Sequence, residues 1–255
     1  MGAGAISQHA GISLSVIGLV AALPLEVECL TGRLEPEASA TLSGNGRLRL
    51  SGLGSDNARR AAAELADSGV TALMSWGTAG GLDPGLRPGT LLLPKCVMTA
   101  AGQRFEVAAS WRAKLHDLLS RQVEIHAGAL VQSVHPLTTP QQKQALFART
   151  GAVAVDMESA AIAEVAASRG LPFVAVRAVL DPATRSLPQS AVGAVDSSGR
   201  LLVKGLVRAL LRHPADLPGV LRLCSDLRLA RRTLATVARR AGLQRGLRDI
   251  GTAPQ

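Results

Sequence analysis

Apolar and polar positions along this chain fall into blocks whose period switches repeatedly between strand-like and helix-like. "LSVIGLVAAL" (14–23) is a continuous β-branched and leucine run stopped by Pro24, the pattern of a strand buried on both faces. "GRLRLSGLGS" (46–55) alternates and runs into a glycine-rich turn, predicting a strand with one face on a core. "NARRAAAELADSG" (57–69) takes up helical spacing, with Asp56 or Asn57 available as cap and Gly69 as terminator. Further strands are predicted in "VTALMSWGTAGGL" (70–82), "GTLLLPKCVMTA" (89–100) and "IHAGALVQSV" (125–134). A short helix follows in "TPQQKQALFARTG" (139–151), with Pro140 near its start and Gly151 after its end. Then come a strand in "AVAVDM" (152–157), a helix in "ESAAIAEVAASRG" (158–170) and a strand in "LPFVAVRAVLD" (171–181).

Short hydrophobic strands separated by helices predict an α/β fold: a three-layer α/β/α arrangement around a twisted, mostly parallel mixed sheet. In such sheets ligands bind beyond the carboxyl ends of the strands. That rule directs attention to the segments 23–27, 52–57, 77–82, 155–159 and 181–185, where polar and glycine residues also cluster.

Composition narrows the function classes. With 47% hydrophobic and 18% charged residues in 255, there is ample material for a core. Three Phe, two Trp and no Tyr leave too few aromatic platforms for stacking bases, so no nucleic-acid partner is expected. Cys29, Cys96 and Cys224 are far apart and odd in number, which argues against a disulfide framework and, without a His/Cys cluster, against a metal. The apolar N-terminal run has no basic residue before Arg33, so it reads as a buried strand rather than a signal peptide, and the protein is expected to be cytoplasmic. The net charge of +9 is uneven: residues 201–255 hold eleven Lys and Arg against three Asp. Two parts are therefore expected, a near-neutral catalytic domain over 1–200 and a basic helical extension over 201–255.

The candidate chemistry sits at strand ends. In "SWGTAGGLDP", Gly77, Ala79 and Gly80 with Thr78 read either as a backbone cradle for a ribose or an anion, or as an ordinary turn closed by Asp83-Pro84. Glu26, just past the first strand, is placed to act as a base, or else is a solvated residue in a first helical turn. In "VDMES", Asp156 can cap the helix, the soft Met157 can pack on a sugar face and Glu158 can accept two hydrogen bonds from a cis-diol. Asp181 ends a buried strand; partial burial would raise its pKa and suit it to donate a proton. Together these groups match what breaking a ribosyl C–N bond through an oxocarbenium-like state requires.

"VDMESAAIAEVAASRGLPFVAVRAVLDPA", with "GTAGGLDPGLRPG" and "GLGSDNA" upstream, resembles the nucleoside phosphorylase/nucleosidase superfamily over roughly residues 17–181. The resemblance implies that Met157 and Glu158 contact the ribose, that Thr78 lies on the ribose or nucleophile side, and that Asp181 protonates the purine. It also implies that Glu26 activates water. No cofactor is implied, although phosphate can be a co-substrate, and relatives that are dimers, trimers or hexamers imply a homo-oligomer. The first loop reads "ALPLE", with Glu26 and no Arg, and Ser75 stands where the family's phosphorylases offer a second Arg, so the residues lean toward water. Arg59, Arg60 and Arg185 are the candidates to hold phosphate instead.

The segment 187–240, "LPQSAVGAVDSSGRLLVKGLVRALLRHPADLPGVLRLCSDLRLARRTLATVARR", is similar to the C-terminal part of the hopanoid-associated phosphorylases. That subgroup implies release of adenine from adenosylhopane. A methylthioadenosine/S-adenosylhomocysteine nucleosidase is the alternative enzyme, and a non-catalytic nucleoside- or nucleic-acid-binding module is the alternative of another class. Apolar residues at helical spacing over 216–241 leave two fates for the basic tail: peripheral contact with an anionic membrane, or a helix packed on the domain.

Overall fold

The computed structural model describes residues 16–244 except 33, 35–37, 43–45, 193, 195, 197–199 and 201; residues 14 and 15 of the first expected strand and the last eleven of the basic tail lie outside them. In chain order the elements are β1 (Ile17–Ala21), α1 (Pro24–Thr31), β2 (Ser39–Thr41), β3 (Arg47–Leu50), α2 (Ser55–Asp67) and β4 (Ala72–Gly81). Next come β5 (Leu91–Leu92), β6 (Cys96–Thr99), β7 (Arg104–Glu106), α3 (Ala109–Leu119), β8 (Ile125–His126), β9 (Leu130–Gln132) and α4 (Pro140–Thr150). The chain ends with β10 (Ala154–Asp156), α5 (Ser159–Ser168), β11 (Phe173–Asp181), α6 (Gln189–Val192), α7 (Val203–Arg212) and α8 (Leu217–Arg240).

β4 is the spine of one mixed sheet. Its first half runs parallel to β1, its length runs parallel to β11, and its last two residues pair antiparallel with β10. The pairs β1–β3, β9–β10, β6–β9 and β5–β8 are parallel, while β2–β3, β6–β7 and β5–β11 are antiparallel. The sheet is therefore mostly parallel. Successive residues of β4 and β11 point to opposite faces, and both faces are covered. Leu73, Phe173 and Ala175 pack with Ala58, Ala62 of α2 and Ile162 of α5 on one side. Met74, Trp76, Val174 and Val176 pack with Val27 of α1, Leu119 of α3 and Leu234 of α8 on the other, which makes three layers.

Three local expectations are corrected. The strand expected over 89–100 is two, β5 and β6, because Pro94 has no N–H for a ladder and the chain changes partners there. The strand expected over 125–134 is likewise broken into β8 and β9 around Gly128, where any Cβ would stand 2.5 Å from a Val153 methyl. The glycine turn expected after Gly77 is instead strand as far as Gly81. Helix α4 follows its signals: Thr139 accepts the Gln142 amide at 3.3 Å and Gly151 closes it at φ 65°.

The basic extension is helical, and its longer helix belongs to the core. Ala230, Leu234, Val237 and Ala238 of α8 are buried against the sheet and α1, and burying a leucine or valine contributes roughly 1.5–3 kcal/mol. Asp226 pairs with Arg185 at 2.7 Å, Arg231 pairs with Glu28, and the Thr233 hydroxyl donates to the Gly89 carbonyl at 2.6 Å. α7 differs: none of its residues is buried.

Candidate active site

Three strand ends converge on the second half of β4. Its pairing sets Val155 of β10 opposite Gly80 and Asp181 of β11 opposite the same glycine, so β10 and β11 end on either side of one residue. Lacking a Cβ, Gly80 lets them approach; an added Cβ would lie 3.3 Å from Asp181 Oδ1 and 3.4 Å from Val155.

Glu26 enters from α1. It does lie in a first helical turn, but it is buried rather than solvated. Its Oε1 accepts the Thr78 amide at 2.7 Å and the Thr78 hydroxyl at 2.8 Å, and Oε2 accepts the Leu23 amide at 3.1 Å. The Thr78 hydroxyl is thus spent on Glu26 rather than free at the mouth of a turn. Gly77 has φ 151°, and a Cβ there would stand 2.6 Å from both Glu26 oxygens, so glycine is required for the carboxylate to reach β4. Gly77, Ala79 and Gly80 pair along β11, and Gly80 also pairs with β10. These residues are therefore strand rather than turn.

Glu158 is held on two sides. Its Oε1 accepts the Gly54 amide at 2.9 Å, and this amide is at the N-terminus of α2. The caps expected from Asp56 or Asn57 are not used: Asp56 pairs instead with Arg59, and a carboxylate from a distant element fills the position that the helix dipole favours. Glu158 Oε2 takes the Met157 amide at 3.3 Å. Asp156 caps α5 in effect, its Oδ1 accepting the amides of Glu158 at 3.3 Å and Ser159 at 3.2 Å.

One cation that the sequence reading passed over organises these acids. Arg177, 1% exposed in the middle of β11, pairs through Nε with Asp156 at 2.9 Å, lies 4.0 Å from Glu158 and donates to Ser75 at 2.7 Å and Ser159 at 3.1 Å. Burial pushes the Glu26 carboxyl above its ordinary range, opposed by Arg177 and by the bonds from Thr78. Glu158 is pushed up to about 7, first by burial and then by the charge of Asp156, with Arg177 opposing.

Asp181 has a second unforeseen partner. Lys143 of α4, 0% exposed, donates to Asp181 Oδ2, to the Pro182 carbonyl at 2.8 Å and to the Arg185 carbonyl at 3.1 Å. Burial raises the Asp181 pKa, and the Lys143 ammonium opposes the rise. Beside Asp181 opens a cavity of about 240 Å³ whose far wall is Gly219, Arg222 and Leu223 of α8. Both missed cations left a trace in the sequence. Arg177 interrupts an otherwise apolar strand, and Lys143 stands three and four residues before Leu146 and Phe147, on the inward stripe of its helix.

Of the arginines considered for phosphate, Arg59 and Arg60 lie on α2, while Arg185 lines the cavity beside Asp181 with its guanidinium paired. Arg59 pairs with Asp56 and Glu164 at 2.9 Å, Arg185 pairs with Asp226, and Arg60 is exposed on α2. Among the described residues no group of three or more His, Cys, Asp or Glu could hold a metal, and no helix is long and apolar enough to cross a membrane.

The family model described as the phosphorylase superfamily matches residues 24–212. Among solved structures, the chain is similar to a 5′-methylthioadenosine/S-adenosylhomocysteine nucleosidase from Neisseria meningitidis bound to methylthio-immucillin-A, with 20% identity, a TM-score of 0.65, and coverage of 88% of this chain and 99% of the other. It is similar to the futalosine hydrolase of Helicobacter pylori at 16% identity, TM-score 0.65, over 89% and 97% of the two chains. The nucleosidase of H. pylori gives 15% identity and a TM-score of 0.66 over 89% and 99%. At these identities the likeness is one of fold. A comparison with curated proteins returned no match.

Proposed function

We propose, because the chain belongs to the phosphorylase superfamily, that it cleaves the N-glycosidic bond of a purine nucleoside. Glu158, with Met157 beside it, would hold the ribose hydroxyls. Asp181 would protonate the base as the C1′–N9 bond breaks, leaving an oxocarbenium-like sugar. Glu26 would orient a water and take its proton as the oxygen bonds to C1′. The observation that carries this reading is the convergence of three buried carboxylates on one glycine strand, each held by hydrogen bonds but by a different element.

Water suits this site better than phosphate. Arg177, the buried cation whose charge reaches Glu26, is already committed to Asp156 and flanked by Glu158, so a phosphate dianion there would join three carboxylates that already share this cation. For the substrate, adenosylhopane is our preferred reading, supported by the resemblance of residues 187–240. The solved neighbours that act on methylthioadenosine favour the second reading, a methylthioadenosine/S-adenosylhomocysteine nucleosidase. Incubation with each nucleoside, with and without phosphate, and assay of free adenine separates them. Adenine from neither would end the catalytic reading and leave a binding module.

A lipid-linked substrate fits the surface of α7. Val203, Val207 and Leu211 are 60%, 51% and 79% exposed, and Lys204, Arg208 and Arg212 follow them along the adjacent stripe. Such a helix is suited to lie on an anionic bilayer, which would make the protein membrane-peripheral. Co-sedimentation with phosphatidylglycerol vesicles at low salt is expected, weakened by the double change Val207→Ser, Leu211→Ser. Equal recovery of both proteins in the supernatant would end the idea. A homo-oligomer is expected from the family and is checked by light scattering.

A further inference from the structure

We infer that Lys143 is a positioning residue for the proton transfer: its ammonium fixes Asp181 by Oδ2, so that the acid proton must sit on Oδ1, and it limits the pH at which that proton is held. The inference rests on the reading of Asp181 as the acid.

The geometry is specific. A lysine ammonium has three N–H donors and no acceptor, and all three of these are used, on Asp181 Oδ2 and the carbonyls of Pro182 and Arg185. The two carbonyls belong to the loop that leaves β11, so one side chain of α4 fixes both the carboxylate and the turn that follows it. A fully buried lysine costs several kcal/mol in desolvation unless it is paired. An apolar residue at this inward position of α4, next to Leu146, would pack more favourably if packing were its only task. Because the ammonium occupies Oδ2, a protonated Asp181 can carry its hydrogen only on the other oxygen, and rotation of the carboxyl is prevented.

The charge has a second effect. A cation in contact with a carboxyl lowers its pKa by about 1–3 units. The other charged groups near Asp181 are Asp226 and Arg222 on α8 and Arg185 on its own loop. Asp226 is paired with Arg185 at 2.7 Å and still pushes the Asp181 pKa up, but Lys143, in direct contact, opposes the rise more strongly than Asp226 adds to it. Below its pKa Asp181 can donate, and above it cannot, so activity falls at high pH along a limb set by this pair.

The test is the pH dependence of kcat/KM for adenine release in the wild type and in Lys143→Met, which keeps the length and removes the charge. The alkaline limb should move up by about one unit or more and kcat should fall about tenfold or more, with KM changing less. The acid limb, set by Glu26, should not move. An alkaline limb that stays in place in an active Lys143→Met enzyme would overturn the inference. A second measurement needs no turnover: Lys143→Met and Asp181→Asn should each lower the melting temperature, and the double variant should lose less than the two losses added. Strict additivity would equally overturn it. Absence of adenine from the wild type would refute the proposed reaction, and the melting cycle would still decide whether the pair acts as one unit.

Discussion

Two buried cations serve the two halves of the site, and they are used differently. Arg177 stands among several acids, Asp156 in direct contact and Glu158 at 4.0 Å, and its charge also reaches Glu26. Lys143 serves Asp181 alone and spends its other donors on backbone carbonyls. The rigid five-donor guanidinium suits the side where charge is shared among several fixed carboxyls; the ammonium, a point charge, suits the side where a single carboxyl is held. The difference teaches that around Arg177 several buried carboxyls share one cation in a fixed geometry, while around Lys143 a single carboxyl is matched to a single cation.

Removing the shared cation should break the comparison most. Arg177→Met leaves Asp156 buried without its partner, and losing one member of a buried pair costs about 3–5 kcal/mol. At about 2–4 °C per kcal/mol for a chain of this size, calorimetry should show a fall in melting temperature of about 10 °C, with activity lost alongside. Asp181→Asn removes the proton donor, so kcat/KM should drop about 10²–10⁴-fold while circular dichroism stays that of the folded protein. A milder loss would move the acid elsewhere.

Glu26→Gln tests the opposite side: kcat should fall about 10²-fold or more with KM little changed, and added phosphate should not restore it. Rescue by phosphate would favour phosphorolysis. The smallest effect is expected at Glu158. Its folded pKa, about 7, lies above the ordinary carboxylate value, so the folded state binds the proton more tightly than the unfolded chain. The stability it contributes is complete below the ordinary carboxylate range and is lost as pH rises through about 7. Glu158→Gln should therefore raise the melting temperature by a few degrees at pH 8 and by less at pH 5, measured by differential scanning fluorimetry, while raising KM.

Within the site, the strand ends were legible because each carboxylate interrupts or closes an apolar run. Glu26, Glu158 and Asp181 all break the local pattern that otherwise predicts burial. The role of Thr78 was not legible: its hydroxyl faces Glu26, and nothing within "SWGTAGGLDP" signals an acid from α1, 52 positions away. The split of the strand expected over 89–100 had a visible sign in Pro94, but which neighbours β5 and β6 would take was not encoded locally. For the basic tail the apolar spacing left membrane contact and packing on the domain equally open, and the contacts of Ala230, Leu234 and Val237 with β11 and α1 place α8 in the core.

The sequence by itself determined the element types, the layered α/β class and the three acids, since periodicity and the interruption of apolar runs are local properties. Only the tertiary structure decided which cation meets which acid. Arg177 lies 19 residues after Glu158 in sequence and Lys143 lies 38 before Asp181, and both pairings exist only because β10 and β11 flank the same strand while α4 packs against the loop after β11. In a buried site the pKa of each acid depends on desolvation and on the nearest charge, and both are set by packing rather than by neighbours along the chain.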